Sequence, residues 1–286
     1  MIPAAFSYQR PATLDEALRI IGSDPGAKLL AGGQSLLPLL KLRLASAETL
    51  VDIGRLEELK GIRWLDDGRL AVGALTTYAE LLESPAKHYG LLRDAIPTIG
   101  DVQVRNRGTV GGAIAHCDPA SDLPACLLAL DAEVLLRSAT GERTAKVDGF
   151  FKGAFDTAMD PGEILIEVRL PAGRDDAGSA YTSLEQPASG YAMVGVAAVL
   201  TVDGEGRVVG GTVALTGVGD HPYRARAVEA ALAGSDGSSE SLAAAAAHAI
   251  DGVDVSSDIH ADRAYRSAMA VVYTRRALEA AFARTA

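Results

Sequence analysis

Two short glycine-containing segments constrain this chain of 286 residues more than any other feature. The first, Ala31-Gly32-Gly33-Gln34-Ser35, follows a short apolar run, and the second, Thr109-Val110-Gly111-Gly112, leads into one. Paired glycines let a backbone approach a bulky anion because no Cβ intervenes, and consecutive N–H groups in such turns form a concave anion-binding nest. Two nests on one chain predict a ligand with a central diphosphate, such as FAD or NAD, bound without the glycine pattern of a Rossmann fold.

Each segment alone is also compatible with an ordinary tight turn, and the second is the more specific of the two. Within residues 105–112, three glycines and a threonine hydroxyl are joined by Arg105 and Arg107. These arginines either neutralise an anion or pair with carboxylates elsewhere. If the second segment holds the diphosphate, Gly111→Val is expected to abolish ligand retention while the chain still folds.

Asp122 is open to two interpretations. A carboxylate downstream of a phosphate loop often accepts hydrogen bonds from ribose hydroxyls, by analogy with a different fold. Alternatively, Ser121 or Asp122 is the N-cap of a helix that has Pro124 in its first turn.

The composition excludes several classes of function. The formal net charge is −10 and no basic cluster with interleaved aromatics occurs, so nucleic-acid binding is not expected. No apolar run predicts a membrane-spanning helix, and the N-terminus lacks the pattern of a secretory signal. Cys117 and Cys126 are too few for an iron–sulfur or zinc site and predict buried thiols in a reducing cytoplasm. Motifs for nucleophilic catalysis are missing, so a cofactor would carry the chemistry of an enzyme.

Hydrophobic periodicity predicts mixed helices and strands, followed by two long strands and a helical tail. Thr13 and Glu16 have the spacing of a capping box at the start of the first helix. The stretch 171–178 is the best candidate for a domain boundary, because it contains Gly, Asp and Pro without periodicity. The predicted helices include 36–44, 91–99, 224–232, 242–250 and 261–284, and the predicted strands include 29–30, 49–53, 62–65, 69–72, 133–136, 164–170, 192–202 and 208–215.

The motifs together resemble one family. Ala31-Gly32-Gly33-x-Ser35, the run 104–112 and Asp118-Pro119-Ala120-x-Asp122-Leu123-Pro124 occur in this order and spacing. They are similar to the medium, FAD-binding subunit of molybdenum hydroxylases, the family of aerobic carbon monoxide dehydrogenase, bacterial xanthine dehydrogenase and related N-heterocycle hydroxylases. The similarity runs essentially end to end and includes Phe150-Phe151-Lys152-Gly153 and the C-terminal pairs Tyr265-Arg266 and Arg275-Arg276.

The resemblance implies an α+β fold of the FAD-binding type of the vanillyl-alcohol oxidase class. Two N-terminal α+β subdomains, about 1–55 and 56–172, would form an FAD-binding domain over 1–172. A C-terminal flavoprotein domain over 177–286, with an antiparallel sheet and helices, would complete the flavin pocket.

The resemblance also implies which residues hold FAD. The two glycine segments would hold the diphosphate, Ile99 would lie near the adenosine or diphosphate arm, and Asp122 would bind ribose. The backbone near Leu165 would meet the flavin ring, and Tyr191 would flank it. No catalytic residue and no metal ligand is implied in this chain. The implied FAD-binding set is Leu29, Leu30, Ala31, Gly32, Gly33, Gln34, Ser35, Leu36, Ile99, Thr109, Val110, Gly111, Gly112, Ala113, Asp122, Leu165 and Tyr191.

The same resemblance implies partner chains in the cytoplasm. A substrate would be oxidised at a molybdopterin cofactor on a large subunit, and electrons would pass through [2Fe–2S] clusters on a small subunit to the FAD of this chain and then to an external acceptor. The family usually assembles as a dimer of heterotrimers. Carbon monoxide is one plausible substrate of the complex, and a purine or another N-heterocycle is a second. The alternatives are a stand-alone flavin oxidoreductase of related fold and a scaffolding protein that has lost its flavin.

The chain departs from the family pattern at two places. Ala113 stands where relatives often have Asn, which removes a side-chain donor. The stretch 182–190 lacks the basic residues that relatives often have there. Without a positive charge near the flavin N1–C2 edge, an anionic reduced flavin would be disfavoured, which affects the redox potential and the choice of electron acceptor.

Overall fold

The structure is a computed structural model that describes residues 2–173 and 176–285. Helices and sheets alternate along the chain in separate layers, so the predicted α+β class is confirmed. The predicted boundary at 171–178 falls partly on residues 174 and 175, which lie outside the described residues.

The N-terminal layer is a small parallel sheet with the strand order β1-β3-β2. Parallel neighbours need crossover connections, and two helices supply them here. The first helix begins where Thr13 accepts a hydrogen bond from the Glu16 amide, as predicted. The reciprocal half of the predicted capping box is absent, because the Glu16 carboxylate accepts from the Ala12 amide at 2.8 Å instead. The second ends earlier than predicted, because Arg43 adopts a left-handed conformation with φ of 60°. The elements are β1 Ser7–Gln9, α1 Leu14–Ser23, β2 Ala27–Leu30, α2 Leu36–Leu42 and β3 Thr49–Asp52.

The middle layer is a five-stranded antiparallel sheet with the order β4-β5-β10-β6-β7. Helices between β5 and β6 cover it with a large apolar core. The predicted helix 91–99 is split, because Pro97 has no N–H to continue an α-helix and a 3₁₀ turn takes over at Ile96–Thr98. The elements are β4 Ile62–Trp64, β5 Leu70–Gly73, α3 Tyr78–Leu82, α4 Gly90–Ala95, α5 Val102–Arg105, α6 Val110–His116, α7 Asp122–Ala129, β6 Glu133–Ser138, β7 Gly141–Lys146, the hairpin β8 Phe151–Gly153 and β9 Asp156–Thr157, and β10 Ile164–Leu170.

The C-terminal layer is an antiparallel sheet with the order β11-β12-β13-β14. The long helix α10 packs on β11 and β12. The sequence did not predict β11, since its mixture of small and hydroxyl residues has no clear alternation of apolar and polar positions. The elements are β11 Ala177–Glu185, β12 Ala192–Val202, β13 Val208–Thr216, β14 Tyr223–Arg224, α8 Arg226–Leu232, α9 Ser239–Ala246 and α10 Arg263–Phe282.

Helix α7 joins the middle and C-terminal layers, because all eight of its residues are buried and it packs against both β12 and β13. The Thr216 hydroxyl lies 2.7 Å from the Pro119 carbonyl oxygen and 2.9 Å from that of Ser121, just before the helix. The C-terminal sheet therefore fixes the chain at the point where α7 begins. Cys117 and Cys126 are buried free thiols, as predicted. None of the described helices is long and apolar enough to cross a membrane.

Candidate functional site

A cleft of about 580 Å³ lies where the N-terminal layer, the middle layer and the C-terminal turn 189–191 meet. Clefts of this volume are typical of sites for small molecules and cofactors. Both glycine segments line it, together with Ile99, Asp122, Leu165 and Tyr191. Of the residues predicted to hold FAD, only Leu30 and Val110 are not in the cleft wall. Val110 is instead buried in the middle core.

The two glycine segments touch each other through their backbones. A Cβ on Gly32 would lie 2.0 Å from the carbonyl oxygen of Arg107 and 3.0 Å from the Cα of Gly108. Gly108 in turn packs against the ring of Tyr78, which also lines the cleft. The first segment therefore packs on residues 107 and 108, immediately before Thr109, and Gly32 is required for this contact.

The first segment has a row of uncommitted backbone donors. The amides of Gly32, Gly33, Gln34, Ser35 and Leu36 donate to no acceptor among the described residues. Gly33 has φ of +74°, which L-residues with a side chain rarely adopt and which turns the chain at this point. Ser35 precedes α2, but its hydroxyl makes no capping hydrogen bond to the helix. The segment therefore has the unpaired N–H groups that an anion-binding nest requires.

The second segment is different, because most of its donors are already used. The amide of Val110 donates to the Thr76 carbonyl at 2.9 Å, and the amide of Gly111 donates to the Ala74 carbonyl at 2.8 Å. The Gly112 amide donates to the Thr109 hydroxyl at 3.2 Å, so Thr109 is the N-cap of α6. That hydroxyl keeps its own proton for a further acceptor. The second segment therefore lines the cleft with one available hydroxyl donor, and it does not form an anion-binding nest like the first.

Gly111 has a different role from the one predicted. A Cβ at this position would lie 2.5 Å from the Cβ of Ala74 and 2.9 Å from its backbone. Gly111→Val would therefore disturb the packing of α6 on the loop after β5, and the expectation that valine fills the space needed by the diphosphate is wrong. The glycine is needed for close helix packing, so this variant cannot report on ligand space.

Arg105 neither pairs with a carboxylate nor faces the cleft. Its Nη1 lies 2.8 to 3.1 Å from the carbonyl oxygens of Pro97, Ile99 and Gly100. The guanidinium thus holds the turn that brings Ile99 and Gly100 into the cleft wall. Neither of the two fates predicted for this side chain is observed. Arg107 makes no ion pair with any described residue.

Asp122 is buried at the floor of the cleft, with 5% of its surface exposed. It is the first residue of α7, and Ser121 occupies the N-cap position without a side-chain cap, so the Asp122 N-cap alternative is excluded. Its Oδ1 accepts a hydrogen bond from the Tyr181 hydroxyl on β11. Burial raises the pKa of Asp122 to about 7, against the opposing effect of the Tyr181 hydrogen bond. A buried carboxylate without a cation calls for neutral hydroxyl donors.

Tyr191 reaches the cleft from the C-terminal layer. Burial and the nearby carboxylates of Asp118 and Asp122 raise the pKa of its phenol, and the neighbouring Ser35 hydroxyl lowers it to a smaller extent. The turn that presents Tyr191 is held by Gln186, whose Oε1 accepts hydrogen bonds from the amides of Ala188 and Ser189. The phenol of the C-terminal layer thus closes over the first glycine segment.

The aromatic end of the cleft was not predicted from the sequence. The ring of Phe155, at the tip of the β8–β9 hairpin, lies 5.0 Å from the ring of His116. Phe155 has φ of +59° and its amide donates to the Cys117 carbonyl at 3.0 Å. Leu165 lies nearby on β10, next to an irregularity in the pairing with β6. The motif at 150–153 was the only available signal for this hairpin.

Comparison with known proteins identifies the family. The model of the FAD binding domain in molybdopterin dehydrogenase matches residues 4–173, and that of the CO dehydrogenase flavoprotein C-terminal domain matches residues 179–281. The carbon monoxide dehydrogenase medium chain of Hydrogenophaga pseudoflava is 40% identical over 100% of both chains. The glyceraldehyde dehydrogenase medium chain of Sulfolobus acidocaldarius is 37% identical over 98% of this chain and 99% of the relative.

A solved structure gives the same answer. A chain of carbon monoxide dehydrogenase from Hydrogenophaga pseudoflava, in a form lacking the Mo-pyranopterin moiety of the molybdenum cofactor, superimposes with a TM-score of 0.95. The two chains are 42% identical, and the match covers 100% of each. Full-length agreement in both sequence and fold means that no major element has been gained or lost. The chain therefore belongs to the family of FAD-binding medium subunits of molybdenum hydroxylases.

Proposed function

We propose that the cleft between the two glycine segments binds FAD and that the chain serves as the electron-transferring subunit of a molybdenum-dependent dehydrogenase. The observation that carries this proposal is the row of five amides, residues 32–36, that have no acceptor among the described residues and belong to the wall of a cleft of about 580 Å³. A diphosphate would satisfy these donors. Gly32 lets the segment pack on the Arg107 backbone, and Gly33 supplies the φ of +74° at which the segment turns.

The remaining contacts follow from what each wall offers. The Thr109 hydroxyl would donate to the diphosphate from the opposite side, and the buried Asp122 carboxylate would accept from ribose hydroxyls. Ile99, held by Arg105, would pack against the adenosine or diphosphate arm. Tyr191 and the backbone at Leu165 would border the flavin ring. Ala113 contributes no side-chain donor, so the diphosphate would depend on the first segment and Thr109.

When bound, the flavin supplies the capacity to exchange electrons between iron–sulfur clusters and an external acceptor. The chain holds it, shields it and sets its environment. Near Tyr191 the described charged groups are carboxylates, Asp118 and Asp122. This acidic surrounding, with no basic residue in 182–190, would disfavour negative charge on the reduced flavin.

Medium chains of this family work with large and small subunits, and we propose the same division for this chain. A large subunit would hold the molybdopterin, a small subunit would hold the [2Fe–2S] clusters, and the assembly would be a cytoplasmic dimer of heterotrimers. The bounds of the two family models support the proposed division into an FAD-binding domain, 1–172, and a C-terminal domain, 177–286. Carbon monoxide is the substrate we favour for the complex, because the relative with 40% identity is a carbon monoxide dehydrogenase chain.

Purification of the chain with an affinity tag from its own host tests the proposal. We expect an absorbance spectrum of oxidised flavin, release of FAD on denaturation, and iron and molybdenum in the same fractions. Carbon monoxide added without oxygen should bleach the flavin absorbance. Flavin without iron or molybdenum would favour the stand-alone oxidoreductase, and absence of flavin would refute the proposal. If a purine or an aldehyde bleaches the flavin and carbon monoxide does not, that compound is the substrate in place of carbon monoxide.

A further inference from the structure

Tyr181 contacts the floor of the cleft from behind without lining the cleft itself. Its hydroxyl donates to Asp122 Oδ1, and both residues are only 5% exposed. Tyr181 belongs to β11 in the C-terminal layer, whereas Asp122 begins α7 in the middle layer. The contact therefore crosses from one layer to the other.

The C-terminal sheet has space reserved for this hydroxyl. A Cβ on Gly195, in the adjacent strand β12, would lie 2.1 Å from the Tyr181 hydroxyl oxygen. Any larger residue at this position would displace the phenol from Asp122. Thr216, on the next strand, holds the carbonyls of Pro119 and Ser121 immediately before Asp122. The sheet thus fixes both the backbone and the side chain of Asp122.

We propose that Tyr181 is a positioning residue for the cofactor: it fixes one oxygen of Asp122 so that the other is free to accept from the ribose hydroxyls of FAD. This inference rests on the proposed function. It adds that the C-terminal layer controls cofactor retention at a distance from the flavin ring, through a residue that does not line the cleft.

The electrostatic surroundings make the effect measurable as a pH dependence. No described cation pairs with Asp122, so hydrogen-bond donors must stabilise its charge. Tyr181 is the side chain that does so, and burial is the main influence that opposes ionisation. The titratable groups that face Asp122 are Tyr181 and Glu185 on β11, Asp118 before α7, Cys126 on α7, Tyr78 on α3 and Tyr191 in the C-terminal turn.

The direction of the pH dependence follows from which protonation state of Asp122 binds FAD. Ionised Asp122 accepts hydrogen bonds from ribose, so FAD retention should fall as the pH drops and the carboxylate takes up a proton. Because the Tyr181 hydrogen bond favours the ionised form, its removal raises the pKa of Asp122 further. The pH at which half the FAD is lost should then move upward by about one unit, since a hydrogen bond to a charged group has about that effect.

The experiment uses the tagged complex, purified from its host, and follows FAD release by the fluorescence of free flavin at a series of pH values. Tyr181→Phe should raise the half-release pH by about one unit and weaken retention near neutrality about tenfold. Gly195→Ala, which keeps the phenol but displaces it, should act in the same direction. The matched control is Tyr89→Phe, because Tyr89 is also buried and its hydroxyl donates to the Pro171 carbonyl. It should leave the half-release pH unchanged.

Asp122→Asn separates positioning from simple destabilisation. With asparagine, retention should be weak at every pH, and adding Tyr181→Phe should cause no further loss, because the residue through which Tyr181 acts is gone. If Tyr181→Phe shifts the half-release pH no more than Tyr89→Phe, or weakens the Asp122→Asn protein equally, the positioning role is refuted. If Asp122→Asn retains FAD as the wild type does, the ribose contact in the proposed function fails instead.

Discussion

The contact between the two glycine segments makes Gly32→Ala the sharpest perturbation of the site. The new Cβ would lie 2.0 Å from the Arg107 carbonyl oxygen, and real Cβ atoms essentially never approach within 3.0 Å. The obstructing atoms belong to backbone, so no side chain can rotate away, and the segments must separate by at least 1.0 Å. A hydrogen bond of about 2.9 Å stretched by that amount is broken.

The expected loss follows from the number of contacts affected. Each hydrogen bond to a charged group contributes about 1.5–3 kcal/mol, and we expect the equivalent of one or two to be lost when the walls separate. A loss of about 3 kcal/mol corresponds to a dissociation constant for FAD about 100-fold higher. The assay is fluorescence titration of the deflavinated complex with FAD, accompanied by the flavin content of the complex as purified.

The matched control for this substitution is Gly22→Ala. Gly22 lies in α1, and a Cβ there meets nothing within 4 Å. Alanine should stabilise the helix by about 0.5–1 kcal/mol and leave FAD binding unchanged. A Gly32→Ala complex with wild-type affinity for FAD would show that contact between the two segments is irrelevant to the cofactor, which would refute the reasoning.

Three further outcomes are expected. Thr109→Val should destabilise the protein by about 1 kcal/mol through loss of the α6 cap and weaken FAD binding as well; wild-type affinity would remove Thr109 from the site. Arg105→Met should release the turn at Ile99 and weaken FAD binding about tenfold. If the variant binds FAD with wild-type affinity, at raised ionic strength as well, this prediction is contradicted. Asp122→Asn should stabilise the FAD-free chain above pH 7 by about 2–4 kcal/mol. The pKa of Asp122 in the folded state is raised from 3.8 to about 7, so the free-energy cost of burying its charge is absent below pH 4 and complete above pH 7. Denaturant melts that show the same gain in free energy of unfolding at pH 5 and at pH 8 would contradict this.

The sequence predicted the structure correctly where a local signal determines it. The N-cap at Thr13 and the periodicity of β12, predicted as 192–202 and observed as Ala192–Val202, depend on neighbours in the chain. The turn at the first glycine segment was also predicted, and the amides of residues 32–36 donate to no acceptor among the described residues. Its glycines and the strand before it are sufficient to indicate that geometry.

The hydrogen bonding of the second segment could not be predicted from its local sequence. Its composition suggested a nest like the first, but the donors of Val110 and Gly111 are used by carbonyls of the loop after β5. That pairing depends on how α6 packs against residues more than thirty positions earlier. The same applies to Tyr181, which meets Asp122 only because the C-terminal sheet packs on α7. Long-range packing, which no short motif encodes, therefore decides which of the two segments is free to bind.

The most direct test of the account is an experimental structure of the purified complex with FAD bound. We predict that the diphosphate oxygens lie within about 3.2 Å of amide nitrogens of residues 32–36, with the Thr109 hydroxyl on the opposite side. FAD bound elsewhere, or bound in this cleft with the first-segment amides still unpaired, would contradict the central claim that this row of donors holds the cofactor.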